Sequence, residues 1–495
     1  MFFFWFLISY SAVFTKEIAI KKENMASRPQ YRPREYVTRD ALQNAQAAQP
    51  AAAPPAPIIR DAIRGSLFGV AIGDAIGTTV EFAQRGSFPP VQDMVGEGPF
   101  HLKKGQWTDD TSMMLCLAES LIVHGGKHNA ADQLQRYRQW FLRGHLSSNG
   151  FAFDIGHLTR KALLACDPTT VGENKLSEED LKSAPNGSLM RMAAVPLLLC
   201  SKELQQAQLE AAQLAVQQSL TTHPHVLCQD ACRLMSVLVL RAIDARLKPP
   251  VADKTSNKKQ WLVLDQAGAQ TYSPAIRDIA LGTYLSKEAK DIKTSPYVVE
   301  TLEAVLWAFS KTASFEEGCL LVVNLGGDAD TTGAIYGMLA GAFYGYQALP
   351  PGWVQPLALR PVIDATAEEL VRLSLPNASR VPSPKYLAIC TALYNLESLY
   401  RLIIEPHAES ELEQADVQKL QAAMRDEHVV FLQSPAMSTY LRQCTDETDL
   451  KQVREWLTDL CLGFVEGRLP TCAPTASAVT TTTNGDAVDA AEPAF

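Results

Sequence analysis

Carboxylates and threonines gather at three places along the chain. Glu81 follows the run GSLFGVAIGDAIGTTV, Thr108, Asp109 and Asp110 stand in GQWTDDTS, and Asp328, Asp330 and Thr331 stand in NLGGDADTTG. One Asp or Thr before a helix is the ordinary N-cap, worth about 1 kcal/mol, and the helix macrodipole adds a fraction more. Capping uses one such residue per helix, whereas the second and third runs each carry two carboxylates and a threonine. If those helix starts converge, four or five like charges repel unless a cation sits among them. Oxygen ligands without His or Cys suit Mg²⁺, Mn²⁺ or Ca²⁺ rather than zinc. Taken as isolated motifs, the residues leave capping and metal binding both open.

The elements that must position these groups are helices. Apolar stripes at three- and four-residue spacing run through 64–82, 109–123, 130–143, 203–220, 226–247, 299–311, 332–346 and 365–374, while strand-like alternation is scarce. An all-α core from about 58 to 376 follows. Gly65, Gly69, Gly73 and Gly77 recur every four residues, as do Gly333, Gly337, Gly341 and Gly345. A helical glycine costs up to about 1 kcal/mol relative to alanine, so each ladder implies a close backbone contact that offsets it. Two tightly packed core helices, set against each other, are the expectation. Arg64, Asp74 and Glu81 argue against a membrane-dimerising span in the first ladder. Asp74, mid-helix between glycines, reads as a structural carboxylate.

The 495 residues carry 45 Lys+Arg and 54 Asp+Glu, for a net charge of −9. That balance argues against direct nucleic-acid binding, which draws on neutralised phosphates. Ten cysteines form no CxxC pair and lie mostly in apolar stretches, as suits a reducing compartment. His223, His225, Cys228 and Cys232 invite a zinc reading, but Cys228 and Cys232 are simply one helical turn apart. The apolar start MFFFWFLISYSAVF is too short to span a bilayer, lacks a basic leader, and leaves Met25 as a candidate start of a cytoplasmic protein without a membrane span. Residues 1–57 read as an apolar segment and disordered linker, 377–469 as a helical extension of unknown role, and 470–495 as a disordered tail. The stretch 248–259 reads as an exposed insertion.

In order along the chain, GDAIG with Glu81, WTDDTS, FDIGHLTRKAL, NGSLMR, TTHPH and NLGGDADTTGAIYGMLAGAFYG resemble the motifs of the ADP-ribosylglycohydrolase family. The resemblance covers roughly residues 60–375. It implies an all-α catalytic domain with two Mg²⁺ or Mn²⁺ ions in a central cleft, and hydrolysis of the glycosidic bond between ADP-ribose and an acceptor. The substrate would be an ADP-ribosylated protein or ADP-ribose conjugate, and the enzyme a monomer. Carried over by position, the metal ligands would be Thr108, Asp109, Asp110, Asp328, Asp330 and Thr331. Glu81 would lie at the metal site and help gate it. Asp154 would line the distal-ribose pocket and serve the glycosidic step, its alternative being a cap for the helix that follows. Asn186, Gly187 and Ser188 would meet the diphosphate or ribose at a glycine-containing helix start. His223 would hydrogen-bond the substrate, with a satisfied core histidine as the alternative. Thr332 stands where the family often has an aliphatic residue, a departure that leaves the metal positions intact.

Two other readings compete. Asp328-Ala-Asp330-Thr331-Thr332 fits the DxDxT motif of haloacid-dehalogenase phosphatases, which ends a β-strand. Some family members are structural, crystallin-like proteins, so a non-catalytic or binding-only relative is the second.

Overall fold

The computed structural model describes residues 57–150, 152–165, 177–248 and 261–383, with Tyr386, Leu387 and Cys390. The N-terminal segment and linker, most of the 248–259 insertion, nearly all of the helical extension and the C-terminal tail lie outside the described residues. Ten helices of nine residues or more form the described part: α1 (Pro57–Gly77), α2 (Asp109–Val123), α3 (Ala130–Arg143), α4 (His157–Ala165), α5 (Leu204–Leu220), α6 (Val226–Leu247), α7 (Val298–Lys311), α8 (Phe315–Val323), α9 (Ala329–Tyr344) and α10 (Arg360–Ser374). Among the described residues, β-pairing is confined to two isolated bridges, Glu97 with Leu102 and Pro185 with Tyr297. The expected all-α architecture is what the chain adopts.

α1 and α9 form the centre. Both are apolar nearly all round and buried along most of their length, as helices inside a large core must be. They run antiparallel with their glycine ladders face to face. A Cβ on Gly65, Gly69 or Gly73 would fall 2.2, 2.2 or 2.0 Å from the carbonyl oxygen of Gly341, Gly337 or Gly333 respectively. On Gly77 it would fall 2.3 Å from the Ala329 oxygen. No side chain fits in that seam, and backbone-to-backbone dispersion and Cα–H···O contacts replace what the glycines forfeit in helix propensity. The Ser66 hydroxyl donates to the Met338 carbonyl across the seam at 2.9 Å.

The remaining helices wrap this pair and are ended by local signals. α3 begins at Asn129, whose side chain accepts from the Asp132 N–H, and stops at Gly144 with φ +72°. Ser314 caps α8 by accepting from the Glu317 N–H at 3.1 Å. α2 is tied to α3 by a buried ion pair, Arg136 with Glu119 at 2.6 Å, and His145 meets the same carboxylate at 2.7 Å. No helix among the described residues is long and apolar enough to cross a membrane.

Candidate metal centre

The antiparallel seam fixes which ends meet. With Gly77 against Ala329, the C-terminal end of α1 lies beside the N-terminal end of α9, so Asp74 and Glu81 are carried to Asp328 and Asp330. A pair of backbone hydrogen bonds locks the chain beyond α1 to the loop before α9. Phe82 N–H donates to the Gly327 oxygen and Gly327 N–H to the Ala83 oxygen, both at 2.8 Å. Gly326 and Gly327 adopt φ of +70° and +69°, and a Cβ on Gly327 would lie 2.1 Å from the Thr294 oxygen. The paired glycines before the DAD sequence are thus required by backbone conformation and by close approach.

The start of α2 is brought in by Asp74. Its Oδ1 accepts from the backbone N–H and the hydroxyl of Thr108, each at 2.9 Å. Its Oδ2 accepts from the backbone N–H and the hydroxyl of Thr111, at 3.0 and 2.7 Å. Asp74 therefore caps α2 from another helix. This settles the capping question, because neither Thr108 at the N-cap of α2 nor Asp328 at the N-cap of α9 makes a side-chain capping bond. Asp109, Asp110 and Asp330 are left over, free of any duty toward the helix ends they occupy.

These carboxylates converge. One oxygen from each of Asp74, Asp110 and Asp330 lies within 4.8 Å of the others, and so does one from each of Glu81, Asp154 and Asp330. Asp330 belongs to both groups. Burial is the main force raising the pKa of Asp109, Asp110 and Asp330 well above the usual carboxylate range, and neighbouring carboxylates add to it. Burial also raises Glu81, with Asp330 and Asp154 contributing, and lifts Asp154 to about 7. Such a cluster needs either protons or a cation.

Two observations favour a cation. Glu81 Oε2, Asp110 Oδ1 and Asp330 Oδ1 are buried without a hydrogen-bond partner, an expensive arrangement for carboxylates unless a metal takes their lone pairs. The single hydroxyl proton of Thr108 faces three carboxylate oxygens, of Asp74 at 2.9 Å and of Asp110 and Asp330 at 3.2 Å each. It can satisfy one of them. Thr331 Oγ1 adds a contact to Asp110 at 3.3 Å. The donor set is all oxygen, which fits a hard divalent cation. Asp74, with two donors already on each oxygen, is a holder of α2 more than a ligand.

The other sequence-predicted residues take varied places. Asn186 is buried. Its amide donates to Asp328 Oδ2 at 2.6 Å and to Thr301 Oγ1 at 2.9 Å, so it orients a carboxylate of the centre. Ser188 turns its hydroxyl inward to Ser219 at 2.8 Å, leaving only backbone for a ligand. His223 is buried beneath Gly187: a Cβ there would lie 2.9 Å from the imidazole. Its Nδ1 pairs with Thr222 Oγ1 at 2.7 Å. Burial, helped by Arg191, holds its pKa well below the ordinary value, so the ring is neutral. Thr332 bonds back to the Asp328 carbonyl and stays away from the cluster. His225 caps α6 through the Leu227 N–H at 3.1 Å, and Cys228 and Cys232 are buried; no zinc set forms from them. The DxDxT rival also fails, since Asp328 to Thr332 opens helix α9 and follows no strand.

The reading of Asp74 as a structural carboxylate holds, and what the sequence left hidden is that it caps the start of α2. No motif signalled Thr301, nor Phe82, Phe100 and Phe153, whose rings form an edge-to-face and tilted series from residues that include the neighbours of Glu81 and Asp154.

The profile of the ADP-ribosylglycohydrolase family matches residues 55–379. The chain belongs to that family, and with it to the hydrolases of glycosidic bonds. It is 37% identical over 303 residues to ADP-ribosylarginine hydrolase Tri1 of Pseudomonas putida (strain GB-1), covering 60% of this chain and 74% of the relative. It is 32% identical over 289 residues to the ADP-ribosyl-[dinitrogen reductase] glycohydrolase of Rhodospirillum rubrum, covering 58% and 86%. A solved structure titled an ADP-ribosylglycohydrolase-related protein complex superposes with a TM-score of 0.52 at 36% identity, covering 64% of this chain and 99% of that one.

Proposed function

We propose that this chain hydrolyses the bond joining ADP-ribose to an arginine side chain of a modified protein, using two Mg²⁺ or Mn²⁺ ions. The observation that carries the reading is the pair of carboxylate groups sharing Asp330, with unpartnered buried oxygens on Glu81, Asp110 and Asp330. Arginine is favoured as the acceptor by the likeness to ADP-ribosylarginine hydrolase Tri1.

Thr108, Asp109, Asp110, Asp328, Asp330 and Thr331 would hold the ions. When bound, such ions orient a sugar's hydroxyls and a water and make the water a better nucleophile at neutral pH. Asp74 and Asn186 would hold the ligands: the first fixes the start of α2, the second fixes Asp328. The backbone at Gly187, braced from below by the neutral His223 ring, would lie against the diphosphate.

Glu81 and Asp154 would serve the reacting carbon. The water oxygen bonds to the anomeric carbon, the bond from that carbon to the guanidino nitrogen breaks, and a water proton passes to the departing nitrogen. The anomeric carbon develops oxocarbenium character on the way, which a carboxylate stabilises. Because Glu81 and Asp154 approach within 4.8 Å, one of them retains a proton more readily than an isolated carboxyl would. It would hand that proton to the departing nitrogen while the other takes the water's proton, so the transfer from water to nitrogen runs through the pair.

The test is incubation of the purified protein with Mg²⁺ or Mn²⁺ and a panel of arginine-, serine- and glutamate-linked ADP-ribosylated proteins, with and without chelator. Metal-dependent release from the arginine-linked member is the expected result. Full activity after chelation, or release from the serine-linked member alone, overturns it. Tight binding of ADP-ribose with no release from any member would favour the non-catalytic reading.

A further inference from the structure

Two residues of an aromatic trio adjoin in sequence the two carboxylates assigned to the reacting carbon, which the fold gathers within 4.8 Å of each other. Phe82 follows Glu81 and Phe153 precedes Asp154, and Phe100 contacts both rings. Its centroid lies 6.3 Å from Phe82 at an interplanar angle of 76° and 5.1 Å from Phe153 at 55°. Phe82 is 66% exposed. An apolar ring that open, next to a buried carboxylate, gains nothing from its own burial.

The backbone holds these rings in place at some cost. Phe82 has φ +61°, and Glu97 and His101 have +64° and +52°. Three non-glycine residues in the left-handed region within one loop form an unusual concentration, each strained by the Cβ. Phe100 sits in a tight hairpin in which Glu97 and Leu102 exchange both backbone hydrogen bonds, at 2.6 and 3.0 Å. That hairpin is clamped to the end of α1. Thr79 Oγ1 donates to the Gly96 carbonyl at 2.9 Å, and a Cβ on Gly98 would fall 2.1 Å from the Thr78 oxygen. Phe82 in turn is pinned to Gly327 by its own N–H. The platform is therefore rigid and fixed to the elements that build the metal centre.

Charge decides what such a platform takes. Asp74, Glu81, Asp109, Asp110, Asp154, Asp328 and Asp330 are seven carboxylates, and two divalent ions would offset four of those charges. Glu81 Oε2 is unpartnered on the side chain adjoining Phe82, and Glu81 is only 6% exposed. Aromatic faces beside surplus negative charge favour a planar cation, and guanidinium most of all.

We propose that Phe82, Phe100 and Phe153 form the subsite for the acceptor, stacking the guanidinium of the modified arginine so that its nitrogen is presented to Glu81 and Asp154. This rests on the arginine reading above and adds the residues that select it. Phe82 and Phe100 would be specificity residues: they touch the leaving side chain and take no part in the bond change.

The experiment compares wild type, Phe82→Ala, Phe100→Ala and Phe82→Tyr in the Mg²⁺-loaded full chain. Three readouts are taken: KM and kcat on an arginine-linked ADP-ribosyl peptide, calorimetric affinity for free ADP-ribose, and calorimetric affinity for Nα-acetylarginine amide in the presence of ADP-ribose. The alanine variants should raise KM and weaken acetylarginine amide by about 3- to 30-fold, leave ADP-ribose affinity within twofold of wild type, and keep the thermal midpoint. Phe82→Tyr should restore most of the loss. Unchanged KM and acetylarginine amide affinity in both alanine variants overturns the subsite, as does a parallel fall in ADP-ribose affinity. A wild-type protein inactive on the arginine-linked peptide overturns the arginine reading itself, which the variants cannot do. Should an alanine variant unfold, Phe82→Leu, which keeps the apolar bulk and removes the aromatic face, takes its place, and wild-type affinity for acetylarginine amide in that variant overturns the subsite.

Discussion

Asp74 on the first helix accepts the backbone N–H of Thr108 at 2.9 Å and so holds the start of a different helix 34 residues later in the chain. Both Asp74 oxygens are fully engaged, by two backbone and two hydroxyl donors. The residues that would bind metal on α2 are placed by this one side chain.

Asp74→Ala leaves two buried N–H groups and the Thr111 hydroxyl without their acceptor, while the Thr108 hydroxyl still has Asp110 and Asp330 at 3.2 Å. Each unsatisfied donor costs about 1–3 kcal/mol, so the variant should lose about 3 kcal/mol or more in denaturant unfolding. Asp74→Asn retains one acceptor oxygen for four donors and should also lose stability and Mg²⁺ affinity. A loss below about 1 kcal/mol for Asp74→Ala would contradict the cap.

Gly69→Ala tests the seam. The new Cβ would meet the Gly337 carbonyl oxygen at 2.2 Å, a backbone atom that cannot swing aside. Overpacking of this kind costs about 1–3 kcal/mol and occasionally more, against a gain of up to about 1 kcal/mol in helix propensity. Net destabilisation is expected, with weaker Mg²⁺ binding because α9 is displaced. A stabilised Gly69→Ala protein would refute the close approach.

Asp328→Ala and Asn186→Ala should differ in kind. Removing Asp328 should abolish turnover with helical circular dichroism intact. Removing Asn186 frees Asp328 from its 2.6 Å partner, and loss of such an orienting group usually costs about 10- to 100-fold in metal affinity or activity. Higher Mg²⁺ or Mn²⁺ should partly rescue Asn186→Ala and leave Asp328→Ala inactive. Equal loss without rescue would remove the orienting role.

The carboxylate cluster links stability to pH. Burial lifts Asp154 from 3.8 in the unfolded chain to about 7 in the folded one, and Asp109, Asp110 and Asp330 are raised as well. In the interval the folded state binds more protons, so the contribution is full below about pH 4 and is lost as pH rises through about 7. Chelated protein should therefore melt progressively lower above about pH 5, and Mg²⁺ should raise the midpoint more at about pH 8 than at about pH 5.5. Equal Mg²⁺ stabilisation at both values would argue that the cation does not replace protons in this cluster.

Much of the helical frame was legible because period and punctuation coincide: 109–123, 130–143 and 226–247 fall where apolar spacing placed them. The glycine ladders announced a close pair of helices and the pair is real. The direction of side chains was not legible. Asn186 and Ser188 belong to a motif that suggests a ligand, and the partners their side chains take, Asp328 and Ser219, reach them only in three dimensions. The role of Asp74 was hidden for the same reason. The aromatic platform carries no sequence period, since its members come from two loops, Phe82 and Phe100 from the one before α2 and Phe153 from the one before α4.

A repeating seam has a hazard of its own. Gly65, Gly69 and Gly73 face Gly341, Gly337 and Gly333 at one interval, so the same two helices could mesh one rung out with little steric objection. Such a slip would translate α9 by about 6 Å along α1, more than the 4.8 Å circle that gathers Asp330 with Glu81 and Asp154. The product would be a well-packed but inert isomer. Several contacts hold the observed alignment: the Ser66 hydroxyl on Met338 at 2.9 Å, the Gln347 N–H on Asp61 at 3.1 Å, and the paired backbone bonds of Phe82 and Ala83 with Gly327 at 2.8 Å. Ser66 and Asp61 lie toward the opposite end of α1 from the carboxylate cluster, so variants that remove these bonds would be expected to disturb the cluster from a distance.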